Sequence, residues 1–398
     1  MPFPFTFPIY FDGPKPGRTV EFKVIIQRNN LEKDKYYPKL ISAYTNSTFP
    51  WSCPTATIEV NTNVSTDTAG YMSPVRVDDI IRLQANVRTT SDEKSVWQDI
   101  FEGRIMKIES RFGRDNPTTL YCRGHGEELL YRAVTADYSA SAATTGTMLY
   151  ALTTAYLSRL TDASPSLIDT TGSSAITNYN IQQDTKYMID PVRHFESLES
   201  YGYIFSVVPE YDSSDNLSAA YVSWQAVPST ASDQVKIIEG TPRLVDATFS
   251  YSIELLVEYV KMYGASGTPQ IYGDSEDGSP AYGTRFHIET DLSLATVQLC
   301  EDLAGAIRAR YSGMEIGNAK ILGDPNIKVG DLIYCKIPSM ELNGSTIDGN
   351  YRCRRVSHQI STDNWFTYVD LGELDISTWD FIAGFQVKSR LENANLID

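Results

Sequence analysis

WQDIFEGRIMKIESRFGRDNPTTLYCRG, residues Trp97–Gly124, reads as two strands joined by a turn, and the rest of the chain is best read outward from this hairpin. The first run, Ile100–Glu109, sets apolar residues against charged ones. Gly113, Asp115, Asn116 and Pro117 then supply the residue types that tight turns need. Thr118–Cys122 is β-branched and aromatic until Gly124 stops it. Upstream, Val77–Val87 places Ile81, Leu83, Ala85 and Val87 on one face and Ile80, Arg82, Gln84 and Asn86 on the other. That period-two alternation predicts a half-buried strand.

The same arrangement returns near the C-terminus. Val329-Gly-Asp-Leu-Ile-Tyr-Cys335 echoes Val77-Asp-Asp-Ile-Ile-Arg-Leu83, Ile347-Asp-Gly-Asn-Tyr-Arg352 echoes Phe101-Glu-Gly-Arg-Ile-Met106, and Tyr368-Val-Asp-Leu-Gly372 echoes Leu120-Tyr-Cys-Arg-Gly124. The order is kept while the spacing drifts by a few residues, so one chain holds two copies of one β-unit. Aligned this way, Gly103 pairs with Gly349 and Gly124 with Gly372.

A strand with a Gly-Asp entry, a loop, an acid-Gly pair opening a second strand and a short β return resembles the tube-type β-barrel of phage tails and contractile-injection baseplates. Two such units separated by an α+β segment resemble the baseplate hub proteins of T-even- and Mu-like phages. The resemblance covers roughly residues 15–375. It implies a mainly β chain with an α+β insert, in which two tube-type β-barrels, residues 18–140 and 235–374, are separated by a helix-plus-hairpin domain, 141–234. An extended arm, 1–17, and a docking tail, 375–398, flank them. It further implies a non-enzymatic homotrimer, pseudo-hexameric through its two units per chain. That ring joins the tail tube protein to the central spike protein, touches other baseplate subunits, and lets DNA pass without specific binding. Its place is the virion tail, after assembly in the host cytoplasm. The alternative is a tail-associated carbohydrate-binding or glycan-degrading protein, favoured by the Tyr and Trp content.

Composition agrees with a folded, β-rich protein. Of 398 residues, 42% are hydrophobic and 21% charged, and 25 are tyrosine. A net charge of −16 opposes grip on nucleic acid, which needs cationic surface to displace counterions. The five cysteines are an odd number without Cys-x-x-Cys spacing, the pattern of reduced thiols in a cytoplasm. The start, MPFPFTFPIYFDGPKPG, has no basic region and no continuous apolar run, so it does not read as a signal peptide, and no membrane anchor is expected.

Pro alternating with Phe in residues 1–17 forbids helix. Phe3, Phe5 and Phe7, with Trp379, Phe381 and Phe385 in the tail, are the candidate subunit-docking residues. Between the units, Thr147–Leu160 has near-helical apolar spacing. Asp190-Pro191 marks the start of a second helix and Gly202 its stop, followed by a strand pair, Tyr203–Val208 and Ala220–Trp224. The second unit contains a helix over 292–311, and before it the loop Gly264–Gly283 is expected to be solvated. Its Asp274, Glu276 and Asp277 are candidates for a channel or exit loop.

Reactive groups scatter. The four histidines, His125, His194, His287 and His358, lie in no hydrolase, nucleotide or zinc motif. His125 beside Glu127 and Glu128 fits a polar turn, and Cys353 with His358 lacks a second ligand pair. Neither catalytic residues, nor a metal, nor a cofactor are expected.

Overall fold

A computed structural model describes residues 7–10, 19–28, 35–48, 53–61, 75–88, 96–110, 117–157, 167–171, 175–199, 202–213, 216–231, 235–241, 243–251, 256–265, 269–276, 278, 284–292, 294, 296–310, 315–342, 344–362 and 364–372. The first unit comprises β1 (Phe7–Tyr10), β2 (Thr19–Gln27), β3 (Lys35–Tyr36), β4 (Lys39–Thr48), β5 (Thr55–Asn61), β6 (Ile80–Arg88), β7 (Trp97–Ser110) and β8 (Pro117–Arg123). Its lateral order is β1-β2-β6-β7-β8-β5-β4, with β3 on β2. The hairpin read from the sequence is β7–β8, Leu120 facing Ile108. Val20, Val24, Ile58, Ile81, Leu83 and Leu120 build the core beneath it.

A short 3-10 turn, His125–Leu130, leads into the insert. There β9 (Tyr138–Thr144) pairs with β10 (Ala175–Ile181), and α1 (Thr145–Tyr156) and α2 (Ile189–Leu198) pack beside β11 (Tyr203–Tyr211) and β12 (Leu217–Ala226). The Thr144 hydroxyl caps α1 by accepting from the Thr147 amide. Asp190 lies inside the first turn of α2 and accepts from the Tyr187 amide, so the helix begins one residue before the expected cap. Trp224, Phe195 and Phe205 fill the insert's own core.

The second unit comprises β13 (Lys236–Ile238) and β14 (Leu244–Tyr251), then a satellite of β15 (Tyr259–Tyr263), β16 (Tyr272–Glu276), β17 (Phe286–Thr290) and α3 (Val297–Arg310), then β18 (Glu315–Leu322), β19 (Leu332–Leu342), β20 (Ser345–Ile360) and β21 (Trp365–Gly372). Leaving the satellite aside, its lateral order is β13-β19-β20-β21-β18-β14. With β1 and the two-residue β3 left out, the first unit's six remaining strands run β2-β6-β7-β8-β5-β4, so in each unit the first of six strands is followed laterally by the fourth, fifth, sixth, third and second, and the duplication is present in the topology. The satellite has its own sheet, β16-β15-β17, and its own core around Val260, Met262 and Cys300. Tyr272–Glu276, expected in a solvated loop, is a strand there. α3 begins at Val297 rather than 292, because Thr296 caps it by accepting from the Leu299 amide.

Two closed barrels, the expectation from resemblance, are not what forms. Among the described residues no sheet closes on itself; both units belong to one open 14-stranded sheet. The reason is the use of strand edges. One edge of β4 pairs with β5 and the Ala43–Thr48 half of the other pairs with β20, so that half is not available to β2. In the second unit β13 is only three residues long and runs parallel to β19.

Candidate functional site

The internal repeat is sharpest at the entry to β6 and β19. Asp78 has φ +74° and Gly330 φ +85°. The Asp78 amide donates to the Ile105 carbonyl at 2.7 Å and the Gly330 amide to the Cys353 carbonyl at 2.8 Å. The next carboxylates, Asp79 and Asp331, turn back to accept from the amides of Arg76 and Lys328. A β-bulge follows at matching places, Ile105/Lys107 and Cys353/Arg355. A left-handed residue followed by an aspartate whose carboxylate satisfies the turn amide explains the Val-(Asp/Gly)-Asp echo physically.

The ladders correct the finer alignment. Gly103 faces Ile81, and the residue facing the equivalent Ile333 is Tyr351, two positions beyond Gly349. Cys122 faces Ile105 and Leu371 faces Cys353, which places Gly124 one residue out of step with Gly372. The acid-Gly letters match while the strand register does not.

The two units meet where the outer half of β20, Arg355–Ile360, pairs antiparallel with Ala43–Thr48 of β4. Asn46 Oδ1 accepts from Arg355 Nε and from Ser357 Oγ, both at 2.8 Å. Trp365 of β21 is fully buried in the first unit's core, edge-on to Phe22 at 5.2 Å. The corresponding outer half of β7, Lys107–Ser110, pairs with β8 on one side and with no strand on the other among the described residues. The counterpart of β4 is β14, which ends the sheet with its outer edge likewise unpaired there. Among the described residues the chain makes one unit-to-unit joint, and no strand ladder is formed at the corresponding positions of β7 and β14.

A cavity of about 380 Å³ lies between both units and the insert, lined among others by Glu102, His125, Asp331 and His358. Burial, and then the charge of Asp99, push the Glu102 carboxyl up to about 8 against the pull of Arg82. Arg82 pairs with Asp99 at 2.9 Å and Glu102 at 3.1 Å and lies over the Tyr211 ring at 3.7 Å. His125 and His358 are both held down to about 4, by burial first and, for His125, by Arg104 second. Both imidazoles are therefore neutral at pH 7. His358 Nδ1 is 3.0 Å from the Thr367 hydroxyl and not in a ligand set with Cys353. Burial pushes the Cys53 thiol up to about 12, leaving it protonated and a weak nucleophile. Glu127 and Glu128, read as part of a polar turn, are buried, and they anchor Arg104 and Arg132. Sequence gave no sign of this, because a buried ion pair shares its letters with a solvated one. Among the described residues no group of three His, Cys, Asp or Glu is placed to hold a metal ion.

Of the candidate residues, Asp274 and Glu276 lie on the outer face of β16, where Asp274 Oδ2 accepts from the Tyr259 hydroxyl at 2.9 Å. Asp277 lies outside the described residues, as do Phe3, Phe5, Trp379, Phe381 and Phe385. The backbone of Phe7 pairs opposite Phe22 in the same chain.

No family model and no curated protein matches the sequence. Solved structures do. The 43 kDa tail protein of prophage MuSo2 from Shewanella oneidensis matches with TM-score 0.59 and 10% identity, over 88% of this chain and 98% of that one. Prophage tail protein gp18 from Listeria monocytogenes EGD-e matches with TM-score 0.56 and 11% identity, over 93% and 99%. The E. coli c3393 protein, described as a type VI secretion component similar to T4 tail proteins gp27 and gp5, matches with TM-score 0.51 and 9% identity, over 88% and 76%. This chain has the fold of these phage tail and type VI secretion proteins.

Proposed function

We propose that this chain is a structural hub of a phage-type tail baseplate, three copies of which join side by side into a ring of six sheet units. The observation that supports it is the joint inside the chain. If β14 of one copy meets the outer half of β7 in the next, as β4 meets β20, the sheet continues from chain to chain and both open edges are satisfied. Unpaired strand edges seek partners, and closure of a ring is what stops them adding copies without limit. Six similar units on a threefold axis can match a sixfold tail tube on one side and a threefold central spike on the other. Other baseplate subunits contact the rim. The role is that of a connector in the virion, with assembly in the host cytoplasm.

Three chains, each at −16, line a passage that repels phosphate rather than trapping it. Repulsion over a Debye length of about 8 Å at physiological salt spans the gap between a duplex and a narrow wall. Asp and Glu are accordingly expected to outnumber Lys and Arg along the axis.

Register makes the proposal testable. Ser357 faces Asn46 in the internal joint; carried through the ladders, the equivalent pair is Glu109 of one copy and Ser250 of the next. Glu109→Cys with Ser250→Cys is expected to give chains cross-linked in threes under mild oxidation, while either single variant gives none. A monomeric protein, or cross-linking indifferent to a two-residue shift of either cysteine, would overturn the ring.

A further inference from the structure

We propose that the open face of the satellite sheet binds a neutral oligosaccharide. α3 covers one face of β16-β15-β17, where Val260 and Met262 are buried and Gly273 lies so close to the helix that a Cβ would sit 2.4 Å from the Glu301 nitrogen. Among the described residues no element covers the other face. The register places Phe286 and Glu276 either side of Tyr259 in one row, Ile288 and Asp274 either side of Lys261 in the next, and Thr290 and Tyr272 either side of Tyr263 in the third.

Aromatic platforms thus bracket a central row in which Asp274 and Lys261 lie beside the half-exposed Ile288. Phe286 is 66% exposed and leans on Tyr259 with ring centres 4.8 Å apart. Tyr272 is half exposed, 6.2 Å from Tyr263. The polar groups are held in place before any ligand arrives. The Tyr259 hydroxyl donates to Asp274 at 2.9 Å, and the Lys261 ammonium lies 4.6 Å from the Tyr272 ring centre. Rigid rings with a few fixed polar groups between them are how binding sites gain orientation at low entropic cost.

Two considerations select the ligand. Four strand rises by two strand spacings give a face of about 13 Å by about 10 Å, a small fraction of the roughly 800 Å² per partner that a stable protein interface covers. A protein seated here would also bury the Lys261–Asp274 pair at its centre, where interfaces are depleted of charge. A pyranose ring instead offers a C–H face of ring size and hydroxyls at its rim, matching the aromatic platforms and the carboxylate and ammonium between them. Asp274 and Glu276 outweigh Lys261, which disfavours acidic sugars. The inference does not depend on the ring.

The test is calorimetric titration of the full chain with chitotetraose and cellotetraose, chosen as neutral oligosaccharide probes. Saturable binding of at least one is expected, weakened at least tenfold by Phe286→Ala and by Asp274→Asn. Both positions are exposed, so the unfolding midpoint serves as the control and should not move. Absence of saturation with both probes, or binding untouched by either variant, would overturn the proposal. So would a tail particle in which another protein covers this face.

Discussion

The polar faces of β6 and β19 occupy equivalent places in the two units and have opposite fates. Arg82, Gln84 and Asn86 of β6 are buried at 7%, 4% and 1% exposure, where alternation alone predicts a solvated face. The insert explains this. β11 brings Tyr211 over Arg82, and Gln27 Oε1 accepts from the Leu217 amide at the start of β12. Gln84 then donates to Asp99 at 2.7 Å inside the covered layer. In the second unit the matching contact, Lys336 to Asp348 at 2.9 Å, is open to water on both sides. One strand scaffold therefore supports either a covered ion network or a solvated one, and the covering segment decides.

The largest expected effect tests that asymmetry directly. Arg82→Ala removes the cation that holds the partly exposed Asp99 and donates to Glu102; each hydrogen bond to a charged group is worth about 1.5–3 kcal/mol, so the summed loss is expected to be the largest here. Lys336→Ala should leave the denaturant midpoint where it was. Equal midpoint shifts in the two variants would erase the comparison. Next in size is Gly103→Ala. A Cβ there would lie 1.9 Å from the Arg123 carbonyl oxygen, although the equivalent position in the second unit holds Tyr351. A loss of about 1–3 kcal/mol is expected from the forced shift, whereas Gly349→Ala meets nothing closer than 3.7 Å and should be neutral.

A pH series sharpens the same contrast. Glu102 holds its proton up to about 8 in the folded state and releases it near the ordinary carboxylate range when unfolded. The native state binds more protons between those values, so this group lowers stability as pH rises through them. His125 and His358 act oppositely. Held near 4 when folded, they raise stability as pH climbs from about 4 to 6.5. Above pH 6.5 these two histidines no longer contribute, and Glu102 contributes at most about 1.4 kcal/mol per pH unit. Glu102→Gln should flatten the decline from pH 6.5 to 8 measured by denaturant unfolding; a decline that persists would relocate the responsible group. The smallest effect on folding is expected from removing residues 377–398. Without Trp379, Phe381 and Phe385, ring yield by light scattering should fall while the unfolding midpoint holds.

Local chemistry made the hairpin, the duplication and the insert's strand pair readable, because turn residues and alternation act within a few positions of where they are read. Register was less accessible. The acid-Gly echo aligned Gly103 with Gly349, but the ladders set Gly103 against Ile81 and Tyr351 against Ile333, a two-residue offset that the matching letters do not record. Barrel closure depended on whether β4 closes on β2 or reaches β20, a choice between partners hundreds of residues apart. The covered Arg82 network was hidden for a similar reason: its burial is conferred by β11 and β12, and nothing in Ile80–Arg88 records that. The satellite's aromatic face was legible only as a surplus of tyrosine, since three separate strands assemble it.

The joint between the units also governs how the chain can be made. Arg355 and Asn46 are 309 residues apart, and the first unit's core is incomplete until Ile360 and Trp365 arrive. At roughly 5–20 residues per second of synthesis, the half that leaves the ribosome first waits about 15–60 s with the Ala43–Thr48 edge of β4 not yet joined to β20 and a tryptophan-sized gap beneath Phe22. During that interval β4 is a ready template for any other nascent chain. Protection of that open strand edge until β20 is made becomes a condition of yield, set by topology before any partner protein is met.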